Sequence, residues 1–314
     1  MTDFFSKWYA TIQNRNKLFV KYRVYSLHRV FVRSLANFVL PIYYKLGQRN
    51  EDNSLKPCSK DKDRVIVSLT SFPARIGRLW LVVESMFRQT HKPDMIILWL
   101  SKEQFPTLDS VPQTLLDQQS RGLCIELRDG DLRSHKKFYY AMSEFPDDNV
   151  VTIDDDVLYQ SNLLEELYKN HVVHPNSIIA NHIHSLVYDK DRNLLPYRMW
   201  VNEFENNSCH NVQIGIGGVL YPPNSLYSDT LNKDLFMDLA KFADDLWLFS
   251  MARLNDRKVI KTDFFPSFLP IQNRNNITLT SVNVGQNQND IQIQNIRNYY
   301  IEKIGIDPFF LKKS

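Results

Sequence analysis

An α/β fold is what this sequence predicts: a mostly parallel sheet flanked by helices, preceded by a basic helical segment at the N-terminus. Three observations carry that expectation. Between Arg64 and Ile153, short apolar, β-branched runs alternate with stretches of helical periodicity, the pattern of βαβ units. Hydrophobic residues make up 43% of the chain and aromatic residues 12%, enough for a well-packed core. Phe4 to Asn50, by contrast, carries nine Lys or Arg and no Asp or Glu, while the remainder is net acidic.

Residues 1–50 mix those bases with Trp8, Tyr9, Phe31 and Phe38, so the segment reads as basic and amphipathic. It either binds an inner-membrane surface or folds onto the main domain with its bases in solvent. Its longest uncharged run, Ser34 to Tyr44, is about half the roughly 20 residues that a spanning helix needs. Residues 51–63 are polar, charged and proline-containing, which marks a linker to a main domain at 64–314. There Arg64–Thr70 is the first buried strand, Ser71–Arg75 its turn, and Leu79–Thr90 a helix with apolar residues at helical spacing. Met95–Leu100 is the second strand, Pro112–Arg121 a helix stopped by Gly122, and Leu123–Leu127 the third strand. A helix over Ser134–Ser143 precedes the fourth strand, Val150–Ile153. Ser161–His171 then reads as a helix, Ile178–Ile183 as a strand, Gln213–Tyr221 as a glycine-containing strand, and Leu235–Leu254 as largely helical. An Asn- and Gln-rich tail from Asn273 ends in a short helix near 289–304.

The fourth strand leads straight into Asp154, Asp155 and Asp156. In open α/β sheets ligands bind beyond the carboxyl ends of the strands, where this triplet and the Ser71–Arg75 turn both fall. Adjacent carboxylates repel and resist burial. A hard divalent cation, Mn²⁺ or Mg²⁺, relieves that repulsion, prefers oxygen ligands and keeps sites for phosphate and water. A solvated acidic turn is the plainer reading of the triplet alone.

Arg75 is placed to pair with phosphate, and Arg133, Lys136 and Lys137 put bases at a helix start where an anion is favoured. Gly215, Gly217 and Gly218 form no dinucleotide fingerprint; they fit either strand packing or the wall of a sugar pocket, with Trp200 and Tyr221 as stacking platforms. Asp244 and Asp245 open an apolar helix and suit either a cap or a general base. His182 and His184 share a strand face and read as polar pocket lining, and Asn289–Asp290 is a further oxygen-ligand candidate. Three widely spaced cysteines, Cys58, Cys124 and Cys209, suggest a reducing compartment. With no apolar h-region and cleavage site, the expected location is cytoplasmic, at the inner face of the membrane. A net charge of +3 without a recognised module gives no reason to expect nucleic acid.

Taken together, RVIVSLTSFPARI, ESMFRQTHKPDMIILWLS, VVTIDDDVLY, GIGGVLYPP and ADDLWLF resemble bacterial glycosyltransferases of the GT-A fold, of the family-two and galactosyltransferase-like sort that build polysaccharide and lipopolysaccharide. The resemblance runs from Arg64 to Asn255 in the family's order. It implies a nucleotide-sugar-binding half at 64–160 and an acceptor-side half and tail at 161–314. It implies that Asp154 and Asp156 hold the metal, and that Thr70, Ser71, Arg75, Lys136, Lys137, Asp154 and Asp155 contact the donor. Trp200, Gly217, Gly218 and Tyr221 would line the acceptor and sugar pocket, and Asp245, with Asp244, would supply the base. The Gln-x-x-Arg-Trp signature of processive synthases is absent, so one sugar would be moved to a glycan or lipid-linked acceptor, with inversion. A sugar nucleotidyltransferase of the same fold is the nearest alternative, although SLTSFPARI lacks that class's glycine-rich loop; a non-catalytic membrane-associated scaffold is the other.

Overall fold

A computed structural model gives the structure, which describes residues 1–11, 23–47, 54–55, 63–201, 209–272 and 287–310. Most of the expected linker, Cys58 and the start of the Asn- and Gln-rich tail lie outside these residues. The helices are α1 (Thr2–Thr11), α2 (Val24–Gly47), α3 (Trp80–Phe87), α4 (Gln113–Gln119), α5 (Lys136–Glu144), α6 (Leu163–Val173), α7 (Lys233–Leu239), α8 (Asp244–Leu254) and α9 (Gln288–Ile304). The strands are β1 (Val65–Thr70), β2 (Met95–Ser101), β3 (Leu123–Arg128), β4 (Asn149–Thr152), β5 (Val157–Leu158), β6 (Ile178–Ala180), β7 (Ile183–Ser185), β8 (Asn211–Gln213), β9 (Val219–Tyr221), β10 (Val259–Lys261) and β11 (Leu269–Pro270).

Seven strands form the central sheet in the order β10-β6-β9-β4-β1-β2-β3. All neighbours in it are parallel except β9, which runs against both β4 and β6. The mixed, mostly parallel sheet with flanking helices is therefore the architecture the sequence predicts. Alternation within the strands explains the two layers. Val65, Val67 and Leu69 share a core with α2 and α3, whereas Ile66 joins Ala141 of α5 on the other face. Helices on both faces account for strands that are apolar along nearly their whole length.

Three expected elements are divided. Ile178–Ile183 is not one strand: β6 ends at Ala180, and β7, which pairs with β8 in a separate two-stranded sheet, starts at Ile183, so His182 lies between the two strands. Gln213–Tyr221 is not one strand: β8 ends at Gln213, Gly215–Gly217 form a 3-10 turn, and β9 starts at Val219. Gly218 takes φ +79, which a residue with a Cβ disfavours, and that reversal lets β9 enter the sheet antiparallel. The helix expected over Leu235–Leu254 breaks at 240–243, so α8 begins at Asp244.

The N-terminal helices lie on the main domain. Phe5, Val32, Ala36, Leu40 and Tyr44 are buried in the same core as the sheet. Buried Asn37 donates to Pro270 O at 2.9 Å and accepts from Gln272 N at 2.8 Å and Arg78 Nη1 at 3.1 Å. β11 in turn pairs with β5, directly after the acidic triplet, and Ile271 N donates to Asp156 O at 2.8 Å.

Candidate active site

Because β1 and β4 are parallel neighbours, with Ser68 opposite Thr152, the turns that follow them emerge side by side. The Ser71 hydroxyl donates to Asp155 Oδ2 at 2.6 Å, and Arg75 Nη1 donates to Asp155 Oδ1 at 2.8 Å. The same guanidinium lies 3.0 Å from Asp156 Oδ2. The three acids are thereby made unequal. The Asp155 side chain is 7% exposed, against 32% for both Asp154 and Asp156. Burial raises the Asp155 pKa although Arg75 and Ser71 oppose it. Burial and the Asp154 charge raise Asp156 to about 6.

Lys137 enters from the first turn of α5. Its Nζ lies 2.6 Å from Asp154 Oδ1 and 3.0 Å from Asp244 Oδ2, and the side chain is buried. Burial alone would favour the neutral amine; the Asp154, Asp244 and Asp245 carboxylates overcome it and hold the pKa well above the ordinary lysine value. For Asp244, the penalty of burial is outweighed by Lys137 and His135, so its pKa falls. Asp245 moves the opposite way, raised by burial and by the Asp244 charge. Two adjacent carboxyls on one helix start are thus driven apart in basicity, the arrangement that separates a fixed anion from a proton acceptor.

Gly215 closes the site. Its N–H is shared between Asp245 Oδ1 at 3.0 Å and Oδ2 at 3.1 Å. A Cβ there would meet Asp245 Oδ1 and Lys137 Nζ, each at 3.1 Å, and Asp154 Oδ1 at 3.5 Å. Gly215 therefore stands where the two acidic motifs and the lysine converge.

Other expected site residues are placed elsewhere. Thr70 donates its hydroxyl to Trp99 O at 2.8 Å, within the sheet. Lys136, buried, pairs with Asp131, so only its neighbour reaches the triplet. Trp200 and Tyr221 do not serve as open stacking platforms, because packing closes both rings off. Trp200 lies against Tyr197, with Nε1 donating to Leu195 O at 3.0 Å, and Tyr221 sits in β9 opposite Val150. Gly217 is a packing glycine, since a Cβ would come within 2.6 Å of His182 Cβ and 2.8 Å of its backbone N. Gly218 likewise packs against Leu163. Arg133 lies over the Phe242 ring, 4.8 Å from its centroid. The His182 and His184 rings are 5.4 Å apart, and burial lowers both pKa values. Asp290 accepts from Tyr197 N at 2.8 Å.

Tyr159 is a site residue that sequence reasoning missed. Its buried Oη accepts from Asp154 N at 2.8 Å and fixes the backbone of the triplet. Its place three residues after the acids is visible in DDDVLY, but nothing in the sequence says that the chain turns back to put it there.

Among the described residues, no three His, Cys, Asp or Glu side chains are already grouped to hold a metal. Asp154 and Asp156 nevertheless fit a hard cation in part. Each is partly exposed and among the described residues spends one oxygen on a cationic side chain. Two such carboxylates suit Mg²⁺ or Mn²⁺, which draws its remaining ligands from water and phosphate rather than from an all-protein cage.

No protein-family profile matches the sequence, and no curated protein matches it. Among solved structures, a mannosyltransferase from Pyrobaculum calidifontis in complex with GDP-Man and Mn²⁺ is similar at 14% identity and TM-score 0.47, covering 89% of this chain and 78% of that one. A 4-diphosphocytidyl-2C-methyl-D-erythritol synthase from Anaerococcus prevotii is similar at 16% identity and TM-score 0.42, covering 68% of this chain and 94% of the other. At these identities and scores, the likenesses identify no activity for this chain.

Proposed function

We propose that the chain is a metal-dependent glycosyltransferase of the GT-A kind, moving one sugar from a nucleotide-sugar donor to a glycan or lipid-linked acceptor. The observation that supports it best is the meeting of two acidic motifs, distant in sequence, around Lys137 and Gly215. One motif suits the donor diphosphate and the other the acceptor hydroxyl.

Asp154 and Asp156 hold the cation, which when bound neutralises charge on the leaving diphosphate. Arg75 and Lys137 add fixed positive charge beside it. Asp155, tied to Ser71 and Arg75, keeps the turn in shape rather than reaching out. Asp245 takes the acceptor hydroxyl proton as the acceptor oxygen bonds to the sugar's anomeric carbon and the bond to the diphosphate breaks. Gly215, having no side chain, leaves the base and the donor charges in one space.

Thermal-shift titration with UDP, GDP and CDP, each with and without Mn²⁺, tests this reading. The expected result is stabilisation by one diphosphate that requires the metal and is lost in Asp156→Asn. Nucleotide binding indifferent to metal and to Asp156 would overturn it. Release of pyrophosphate from a nucleoside triphosphate and a sugar phosphate would instead make the chain a nucleotidyltransferase.

A further inference from the structure

One face of α2, turned away from the side that packs on the domain, carries a row of large exposed apolar side chains. Leu27, Phe31, Phe38 and Ile42 recur at spacings of four, seven and four, and are 66%, 58%, 69% and 50% exposed. At about 100° per residue these positions fall within one narrow stripe. Val32, Ala36, Leu40 and Tyr44 occupy the opposite side and are wholly buried against the domain. The stripe continues onto α1: the Trp8 ring lies 5.9 Å from Phe31 and 5.8 Å from Phe4, which is 59% exposed. Large exposed apolar side chains gathered in this way mark a surface that is covered in use.

We propose that α1 and α2 lie flat on an anionic lipid bilayer, with this stripe in the acyl boundary. Charge selects that occupant. The segment from Phe4 to Asn50 has nine bases and no acid, and Lys7, Arg23 and Lys45 are exposed around the stripe. Two copies docked through this face would bring like charge against like charge, whereas anionic headgroups complement it. α2 has 24 residues, so it spans about 36 Å at ~1.5 Å per residue. No described helix is long and apolar enough to cross a membrane, and a polar-and-apolar helix of this length instead rests in the interface. Packing on the domain and binding a membrane, rivals in the sequence, are opposite faces of the same helix. The docking is independent of the transferase reading, since it is read by lipid binding and not by turnover.

The test is vesicle flotation of the full chain with phosphatidylcholine alone and with phosphatidylglycerol added. The wild type is expected to float with the anionic vesicles, weakly with the neutral ones, and less as salt is raised. Phe31→Glu with Phe38→Glu and Ile42→Glu should cut partitioning at least about tenfold. Its circular dichroism should stay unchanged, because none of the three side chains is buried, and its melting should fall only by the loss of the Phe31 ring's contact with Trp8. Should that triple unfold, Phe38→Ser with Ile42→Ser gives the same readout without added charge. Equal flotation of variant and wild type, or no flotation of the wild type, overturns the proposal. So does a lipid-free dimer that these substitutions dissociate, which would make the face a homotypic interface.

Discussion

Lys137 donates to Asp154 Oδ1 at 2.6 Å, joining the start of α5 to the acidic turn seventeen residues farther along the chain. The same ammonium lies 3.0 Å from Asp244 Oδ2, so one buried cation holds acids from two separate motifs. In the resting protein its role is structural, and under the proposed function the same charge would also face the donor diphosphate.

Lys137→Met is expected to destabilise the protein by about 3–5 kcal/mol, because it leaves buried carboxylates without their counter-charge. Urea denaturation measures this. A companion substitution, Asp244→Asn with Lys137→Met, should recover part of the loss, since fewer charges then remain unpaired.

The glycines separate packing from chemistry. Gly217→Ala drives a Cβ into His182, whose backbone N cannot move aside, and should cost about 1–3 kcal/mol in denaturation. Gly215→Ala meets only the ends of Asp245, Lys137 and Asp154, so the fold should survive. Under the proposed function its sugar transfer should fall by roughly 10- to 100-fold, since small displacements of the proposed base would be felt strongly in rate. Equal stability losses for both variants would contradict the distinction.

The raised pKa of Asp156 has a definite sign in metal-free protein. With a folded value of about 6 and an unfolded value near 3.9, the folded state holds the extra proton between those limits. Its contribution to stability therefore falls as pH rises from about 4 to about 6. Asp156→Asn should remove that component, and the difference between wild-type and variant melting curves across this range isolates it. A difference that does not change with pH would refute it.

Asn37 and Phe38 are neighbours with opposite surroundings. Asn37→Ala deletes hydrogen bonds to Pro270 O and from Gln272 N and Arg78, and should cost about 1–3 kcal/mol. Phe38→Ala, on the exposed stripe, should stay within about 0.5 kcal/mol. Chemical denaturation of the two compares them directly.

Much of the sheet is legible before folding is considered. Runs such as VIVSLT and MIILWL are apolar on both faces, which only a strand covered on both sides tolerates, and helical spacing fills the intervals. The acids of the triplet could be placed at the ligand edge because a strand ends immediately before them. The sequence did not distinguish Lys136 from Lys137, nor show that Asp155 is buried against Ser71 and Arg75 while its neighbours stay partly exposed. Adjacent residues on a helix or turn point in different directions, and which direction faces the site depends on how α5 and β4 pack.

By itself, then, the sequence determined the alternation of strands and helices, the acidic turn after β4, the acids opening α8 and the basic character of the first fifty residues. These are local properties, set by periodicity and charge along the chain. Tertiary structure decided that Lys137 bridges the two acidic motifs, that Gly215 sits between them, that Trp200 and Tyr221 are sealed in the core, and which side of α2 stays bare. Each depends on contacts between residues far apart in the chain. Closing those distances requires the sheet order and the helix crossings, and no short stretch of residues encodes them.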